Sequence, residues 1–288
     1  MDDADEMVVR EETTEADDRP RVVILGGGFG GIYTARHLKG ADCQVVVVDK
    51  QNHHLFQPLL YQVATAGLSP GDIASPIRSI LGRQQNARVL LGEALEVDRA
   101  EKTVRLANGT ISYDFLVVAT GTQPQYFGPD SYEEHSTPLK TIEDALELRR
   151  QILCAFEQAE QIDDPAAVRE WLTFVIVGGG ATGVEMAGAF VELFDTLNDD
   201  FSRFDTREEA RCILLEMEDD LLPPYKSSLR AYTRDVLERR GVEVRTNTAV
   251  ERVEADTVHL SAGCPIPAQT LVWAAGVEAS PVADLLGA

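Results

Sequence analysis

An α/β protein made of two copies of one plan, each a parallel sheet carrying a small antiparallel β meander, is what the sequence predicts. Three observations carry the prediction. Two glycine-rich turns sit at strand-to-helix junctions, an acid-terminated aliphatic strand lies downstream of each, and the repeat length is nearly constant. At 288 residues the chain can hold two domains with proper cores.

The first turn follows Val22-Val23-Ile24-Leu25 and runs Gly26-Gly27-Gly28-Phe29-Gly30-Gly31; the second follows Phe174-Val175-Ile176-Val177 and runs Gly178-Gly179-Gly180-Ala181-Thr182-Gly183. Each short apolar run reads as a buried strand, and the glycines as a tight turn into a helix. Backbone N–H groups and the positive helix end can then meet a pyrophosphate at close range, the Rossmann device for dinucleotides. One such turn is weak evidence, because glycine turns also serve plain packing. Two with matching sequels are strong.

The sequels follow in order. Val45-Val46-Val47-Val48 ends in Asp49, 18 residues beyond Gly31, where an acid can chelate the hydroxyl pair of a ribose; the alternative is an Asp that caps a turn. Cys212-Ile213-Leu214-Leu215 ends in Glu216, 33 residues past Gly183, the extra length fitting a longer polar helix and loop from Leu193 to Arg211. Alternating runs from Arg88 through Ala94–Asp98 and Thr103–Leu106 to Asn108-Gly109, and from Val242 through Val250–Val253 and Thr257–Leu260 to Ala262-Gly263, read as antiparallel meanders. Each half closes on a buried strand followed by small residues, Ala119-Thr120-Gly121 and Ala274-Ala275-Gly276. Gly26 to Gly121 is 95 residues and Gly178 to Gly276 is 98, an internal duplication with the architecture of a two-Rossmann flavoprotein reductase.

Between the halves, Thr141-Ile142-Glu143-Asp144 reads as a capping box opening a helix whose buried face is Ala145, Leu148, Ile152 and Phe156. That helix should end near Asp163-Asp164-Pro165, with a short helix before the second turn. Residues 1–20 hold nine acids and two arginines and read as a disordered acidic tail. The expected organisation is therefore this tail, an incomplete first nucleotide domain over 21–140, a second over 141–276, and over 277–288 the start of a return to the first.

A net charge of −22 argues against nucleic acid or an anionic membrane surface as a general partner. No run of about 18 apolar residues is present to span a bilayer, and the acidic N-terminus is the opposite of a secretion signal. The four cysteines form no C-x-x-C pair, and three sit in apolar settings where a small buried hydrophobe is the default. These features read as a reduced, cytosolic-side protein without a structural metal.

The run Asn52-His53-His54-Leu55-Phe56-Gln57-Pro58-Leu59-Leu60-Tyr61-Gln62-Val63-Ala64-Thr65 has no periodic reason to exist. With Gly180-Ala181-Thr182-Gly183-Val184-Glu185-Met186-Ala187-Gly188 and Trp273-Ala274-Ala275-Gly276-Val277, it resembles the type II NADH dehydrogenases, the non-pumping NADH:quinone oxidoreductases, from Arg21 to Ala288. The resemblance implies FAD on the first turn and NADH on the second. Hydride passes from nicotinamide to flavin, and the reduced flavin then reduces a quinone. It assigns Gly26, Gly28, Phe29, Gly30, Gly31 and Asp49 to FAD, with Ala119, Thr120 and Gly121 passing beside it and Gln62 and Thr65 near the flavin. It assigns Gly178, Gly180, Thr182, Gly183, Glu216, Ala275 and Gly276 to NADH. The carboxylates of Glu216, Glu218, Asp219 and Asp220 should repel a 2′-phosphate, favouring NADH over NADPH.

Glu185 is the candidate catalytic residue, expected in the first turn of its helix. The resemblance puts a glutamate there at the nicotinamide–flavin contact, while the plain alternative is an acid favouring the helix dipole. His53 and His54 lack companions for a metal site and are taken as loop residues near the flavin. The resemblance also implies a return segment, quinone-site residues and a membrane-attaching C-terminus that this sequence does not contain, so it reads as C-terminally truncated. NADH is then the partner of these residues. Quinone is reached through absent segments, attachment is peripheral at the inner face of the cell membrane, and a homodimer is one candidate assembly. A disulfide reductase or sulfide:quinone reductase would need paired reactive cysteines. A ferredoxin-type reductase and a non-catalytic NADH-binding sensor stay open.

Overall fold

Aliphatic runs build two parallel sheets on the same plan in the computed structural model, which describes residues 18–128 and 131–286. The expected acidic tail lies outside the described residues except for its last three. Two compact units divide the chain. Of the described residues, one holds those up to Leu55, Ala74–Gln123 and those from Glu278 onward; the other holds Phe56–Ile73 and those between Pro124 and Val277.

In the first unit, β1 (Arg21–Leu25), α1 (Phe29–His37), β2 (Gln44–Asp49), β3 (Ala87–Leu91) and β4 (Phe115–Val118) give an all-parallel sheet in the order β3-β2-β1-β4. Successive side chains alternate between its faces. Val22, Ile24, Val45 and Val47 pack with Ile32 and Ala35 of α1 and with Ile77 and Leu81. Val23, Leu25, Val46 and Val48 pack with Val97, Val104 and Leu106 of the antiparallel meander Ala94–Asp98, Thr103–Leu106 and Gly109–Ser112. Full burial of each such side chain contributes about 1.5–3 kcal/mol, so both faces of the central valine strands stabilise the sheet. Val282, Leu285 and Leu286 join the meander side of this core.

The second unit repeats the scheme with α2 (Leu60–Ala64), β5 (Thr137–Pro138), α3 (Ile142–Gln161), α4 (Pro165–Trp171), β6 (Thr173–Val177), α5 (Ala181–Leu197), β7 (Arg211–Leu215), α6 (Ser227–Arg239), β8 (Glu243–Arg245) and β9 (Thr270–Trp273). Its parallel sheet runs β5-β9-β6-β7-β8. Val175, Val177, Ile213 and Leu215 face the meander residues Val253, Val258, Leu260 and Ile266. The opposite face carries an aromatic stack: Phe174 lies 5.6 Å from Phe156 and 5.0 Å from Phe190, ring centre to ring centre, and all three are fully buried.

Several expectations are met and several are corrected. Thr141 caps α3 in a full capping box, its Oγ1 accepting from the Asp144 N–H at 3.1 Å while Asp144 Oδ2 accepts from the Thr141 N–H at 2.8 Å. Ala145, Leu148, Ile152 and Phe156 form the buried face as expected. The leading strands β3 and β8 are not part of the meanders. Each returns after a helix, so it pairs parallel with β2 or β7 in the main sheet. Thr137–Pro138 pairs with β9 as the outer strand of the second sheet. Phe56–Ile73 also belongs to the second unit, because Leu60, Val63 and Ala64 are buried on α2 where it packs on α3 and α5. Cys43 and Cys212 are buried but Cys154 and Cys264 are exposed, so two cysteines rather than three are core residues. Cys154 falls off the buried face of α3.

Candidate functional site

The glycine turn after β1 is a cage of backbone contacts. Gly26 has φ +103°, a left-handed conformation that L side chains rarely adopt, and its N–H donates to the Val48 carbonyl at 2.8 Å. At Gly31 a side chain is barred by space rather than by φ: an added Cβ would lie 1.8 Å from the Gly26 oxygen. Gly28, the N-cap of α1, has nothing within 4 Å of such a Cβ. Gly30 faces Ala119, whose N–H donates to the Leu25 carbonyl at 2.8 Å, so the Ala119-Thr120-Gly121 exit runs alongside the turn. Phe29 opens α1 and meets the His54 ring edge-on at 5.0 Å. Asp49, at the end of β2, accepts from the Gly27 N–H at 2.5 Å through Oδ2 and from the Gln51 N–H at 2.7 Å through Oδ1.

The turn after β6 repeats the backbone arrangement and the carboxylate tie. Gly178 has φ +111° and donates to the Leu215 carbonyl at 2.8 Å. A Cβ on Gly183 would lie 1.9 Å from the Gly178 oxygen, whereas one on Gly180 would meet nothing within 4 Å. Glu216, buried at the end of β7, accepts from the Gly179 N–H at 2.6 Å and from the Glu218 N–H at 2.8 Å. The Ala274 N–H donates to the Val177 carbonyl at 2.8 Å. Ala275 then packs on the sheet core, and Gly276 has φ +74°.

Both acids therefore perform a structural task that the spacing did not reveal: each ties the glycine turn to the neighbouring strand. An ionised carboxylate offers about four lone-pair sites. With two amides bound, each acid keeps acceptor capacity for a ribose hydroxyl pair.

The residues fit a dinucleotide at each turn. A pyrophosphate needs free N–H donors, room and no competing anion. Neither α1 nor α5 has a side-chain cap or an acid in its first turn, and the N-cap glycine of each borders open space. Thr182 is the second residue of α5 and lines a cleft with Lys140, Trp273, Ala274 and Gly276.

Other expected site residues fall elsewhere. Glu185 is the fifth residue of α5, past its first turn, which corrects the sequence expectation and weakens the explanation from the helix dipole. Its side chain is exposed, yet the protein around the carboxyl raises its pKa above the ordinary glutamate value by desolvation. Gln62 and Thr65 lie at α2 in the second unit, where Gln62 Nε2 donates to the Tyr61 hydroxyl at 3.2 Å and Thr65 Oγ1 to the Tyr61 carbonyl at 2.9 Å. One residue with a direct part in the first turn was not assigned a contact from sequence. The Nδ1–H of His54 donates to the Gly27 carbonyl at 3.0 Å. The pairing of His53–Leu55 with Ala74–Pro76 brings it there, and no local pattern announces that. Among the described residues no group of His, Cys, Asp and Glu could hold a metal, and no helix is long and apolar enough to cross a membrane.

Comparison with known proteins fits this geometry. The type II NADH:quinone oxidoreductase NdhA of Mycobacterium tuberculosis is 44% identical over 283 residues, covering 96% of this chain and 60% of that protein. External NADH-ubiquinone oxidoreductase 2 of Saccharomyces cerevisiae mitochondria is 33% identical over 277 residues, covering 90% and 50%. The chain thus spans between half and two thirds of the length of these relatives. The solved NDH2 of Plasmodium falciparum in complex with NADH shares the fold at a TM-score of 0.84 and 23% identity, over 91% of this chain and 56% of that one. The pyridine nucleotide-disulphide oxidoreductase family model matches residues 20–286, from the strand before the first glycine turn to beyond the second sheet, and the chain belongs to that family.

Proposed function

We propose that this chain is the nucleotide-binding portion of an FAD-dependent, non-electrogenic NADH:quinone oxidoreductase, with FAD at the turn Gly26–Gly31 and NADH at the turn Gly178–Gly183. The observation that carries the reading is the duplicated cradle: an open, uncapped helix end beside a strand that closes on a carboxylate. Similarity to the type II enzymes supports the order of the two cofactors and the quinone as acceptor. Attachment at the inner membrane face and a homodimer belong to the same proposal and concern the whole protein.

When bound, FAD supplies a reversible two-electron carrier. The protein's share is to hold and select. Gly28 and Gly180 leave room for phosphates against α1 and α5, and Asp49 and Glu216 offer their remaining lone pairs to ribose hydroxyls. Selection of NADH over NADPH rests on Glu216, Glu218 and Asp219, since a 2′-phosphate would face their like charge. Asp220 contributes less than its sequence position suggests, because Arg234 lies 2.8 Å and Arg230 3.6 Å from its carboxylate. Glu185 is proposed to position the nicotinamide, its raised pKa keeping a proton to higher pH than an ordinary glutamate.

The visible spectrum of the gel-filtered chain, before and after anaerobic NADH, tests the reading. A bound flavin that bleaches is expected. A colourless protein that still binds NADH would reduce the chain to a nicotinamide-binding fragment. In the flavin-loaded protein, Glu185→Gln should slow NADH turnover by about 10- to 100-fold with flavin content unchanged. If turnover and nicotinamide binding both survive, Glu185 has no such role.

A further inference from the structure

We propose that Lys140 is a further ligand-binding residue of the second nucleotide turn, its ammonium holding the phosphate and ribose oxygens of the nicotinamide half of the dinucleotide. The inference rests on the proposed use of that turn for NADH. It starts from the sheet. In the order β5-β9-β6-β7-β8, the glycine turn leaves the central strand β6, and Glu216 ends β7 on one side of it. A dinucleotide with its pyrophosphate at Gly180 and its adenosine ribose at Glu216 has to send its other nucleotide to the opposite side, over the end of β9. That is the carboxyl edge of a parallel sheet, where such folds bind ligands.

A cleft stands at that edge, and Lys140 lines it with Thr182 from α5 and Ala274 and Gly276 from the exit of β9. Lys140 arrives there because β5 pairs with β9, and the chain then turns at once into α3. Its backbone is pinned on both sides. The Lys140 N–H donates to Asp144 Oδ2 at 2.9 Å, and the Lys140 carbonyl accepts from Gln57 Nε2 at 3.2 Å. A backbone held this firmly adds less ordering cost on binding than one on a mobile loop. The ammonium is half-buried, and that desolvation lowers its pKa. A phosphate placed beside the ammonium in this cleft would interact with it more strongly than at an open surface, because less water screens the pair.

Calorimetric titration of the full chain with NADH and, separately, with AMP tests this. AMP carries only the adenosine half. Lys140→Met should weaken NADH by about tenfold or more and leave AMP unchanged. Lys140→Arg, which keeps the charge, should recover most of the NADH affinity. Unchanged NADH binding in Lys140→Met would overturn the proposal, and so would an equal loss of AMP, which marks a structural role. A wild-type chain that binds AMP but not NADH would instead overturn the NADH reading on which the proposal stands.

Discussion

Gly183→Ala should destabilise the second unit by about 3 kcal/mol and abolish NADH binding, while Gly180→Ala should keep the fold and lose the ligand. The two glycines sit three residues apart in one turn, and the difference is geometric. A Cβ on Gly183 would stand 1.9 Å from the Gly178 carbonyl oxygen, with Leu214 Cδ1 behind it at 3.3 Å. Alanine in a helix is worth about 1 kcal/mol over glycine. An overlap with backbone this deep exceeds that gain, because β6 is held between β7 and β9 and α5 packs against the same sheet. Gly180 has φ −72° and ψ −174°, ordinary values for any residue, and open space where a methyl would go. Alanine is a poorer N-cap than glycine, so a cost below about 1 kcal/mol is expected there. That methyl would, however, fill the room a pyrophosphate needs, weakening NADH by about a hundredfold. Denaturant unfolding and NADH titration of the two variants separate the effects. NADH affinity equal to wild type in Gly180→Ala would remove the pyrophosphate from this turn.

Glu216→Ala should cost about 3 kcal/mol as well as the dinucleotide, and Glu216→Gln markedly less stability. The carboxylate accepts from the Gly179 and Glu218 amides, and a hydrogen bond to a charged acceptor is worth about 1.5–3 kcal/mol. Alanine leaves both amides without their acceptor, one of them beside the buried turn, and frees the glycine turn from β7. Glutamine retains one oxygen to accept, so the turn holds. With the negative charge gone, discrimination against NADPH should also fall. Thermal unfolding together with paired NADH and NADPH titrations checks both parts. A stable Glu216→Ala chain that keeps its NADH affinity would show that neither the turn nor the ribose depends on this acid.

The two glycine turns, the acids ending β2 and β7, the capping box of α3 and its buried face were all legible, because each is written in residues close together. Positive φ at Gly26 and Gly178 needs only the turn itself. The buried face of α3 follows from a period of 3.6 residues. Other features were not legible. Glu185 lies past the first turn because the helix begins at Ala181, inside the glycine run rather than after it, and the start of a helix is not written in any single residue there. Cys154 is flanked by apolar residues yet exposed, because a helix buries one face and not a stretch.

The residues alone set out a local grammar: two strand-turn-helix units able to receive a pyrophosphate, each with a carboxylate one strand away. That grammar is local because φ, periodicity and capping act over a few residues. What converges on each turn is set by long-range packing. The pairing of His53–Leu55 with Ala74–Pro76 carries His54 to Gly27, and the pairing of β5 with β9 carries Lys140 to Thr182, 42 positions away. Register between distant strands depends on side chains that meet only once the sheet is assembled.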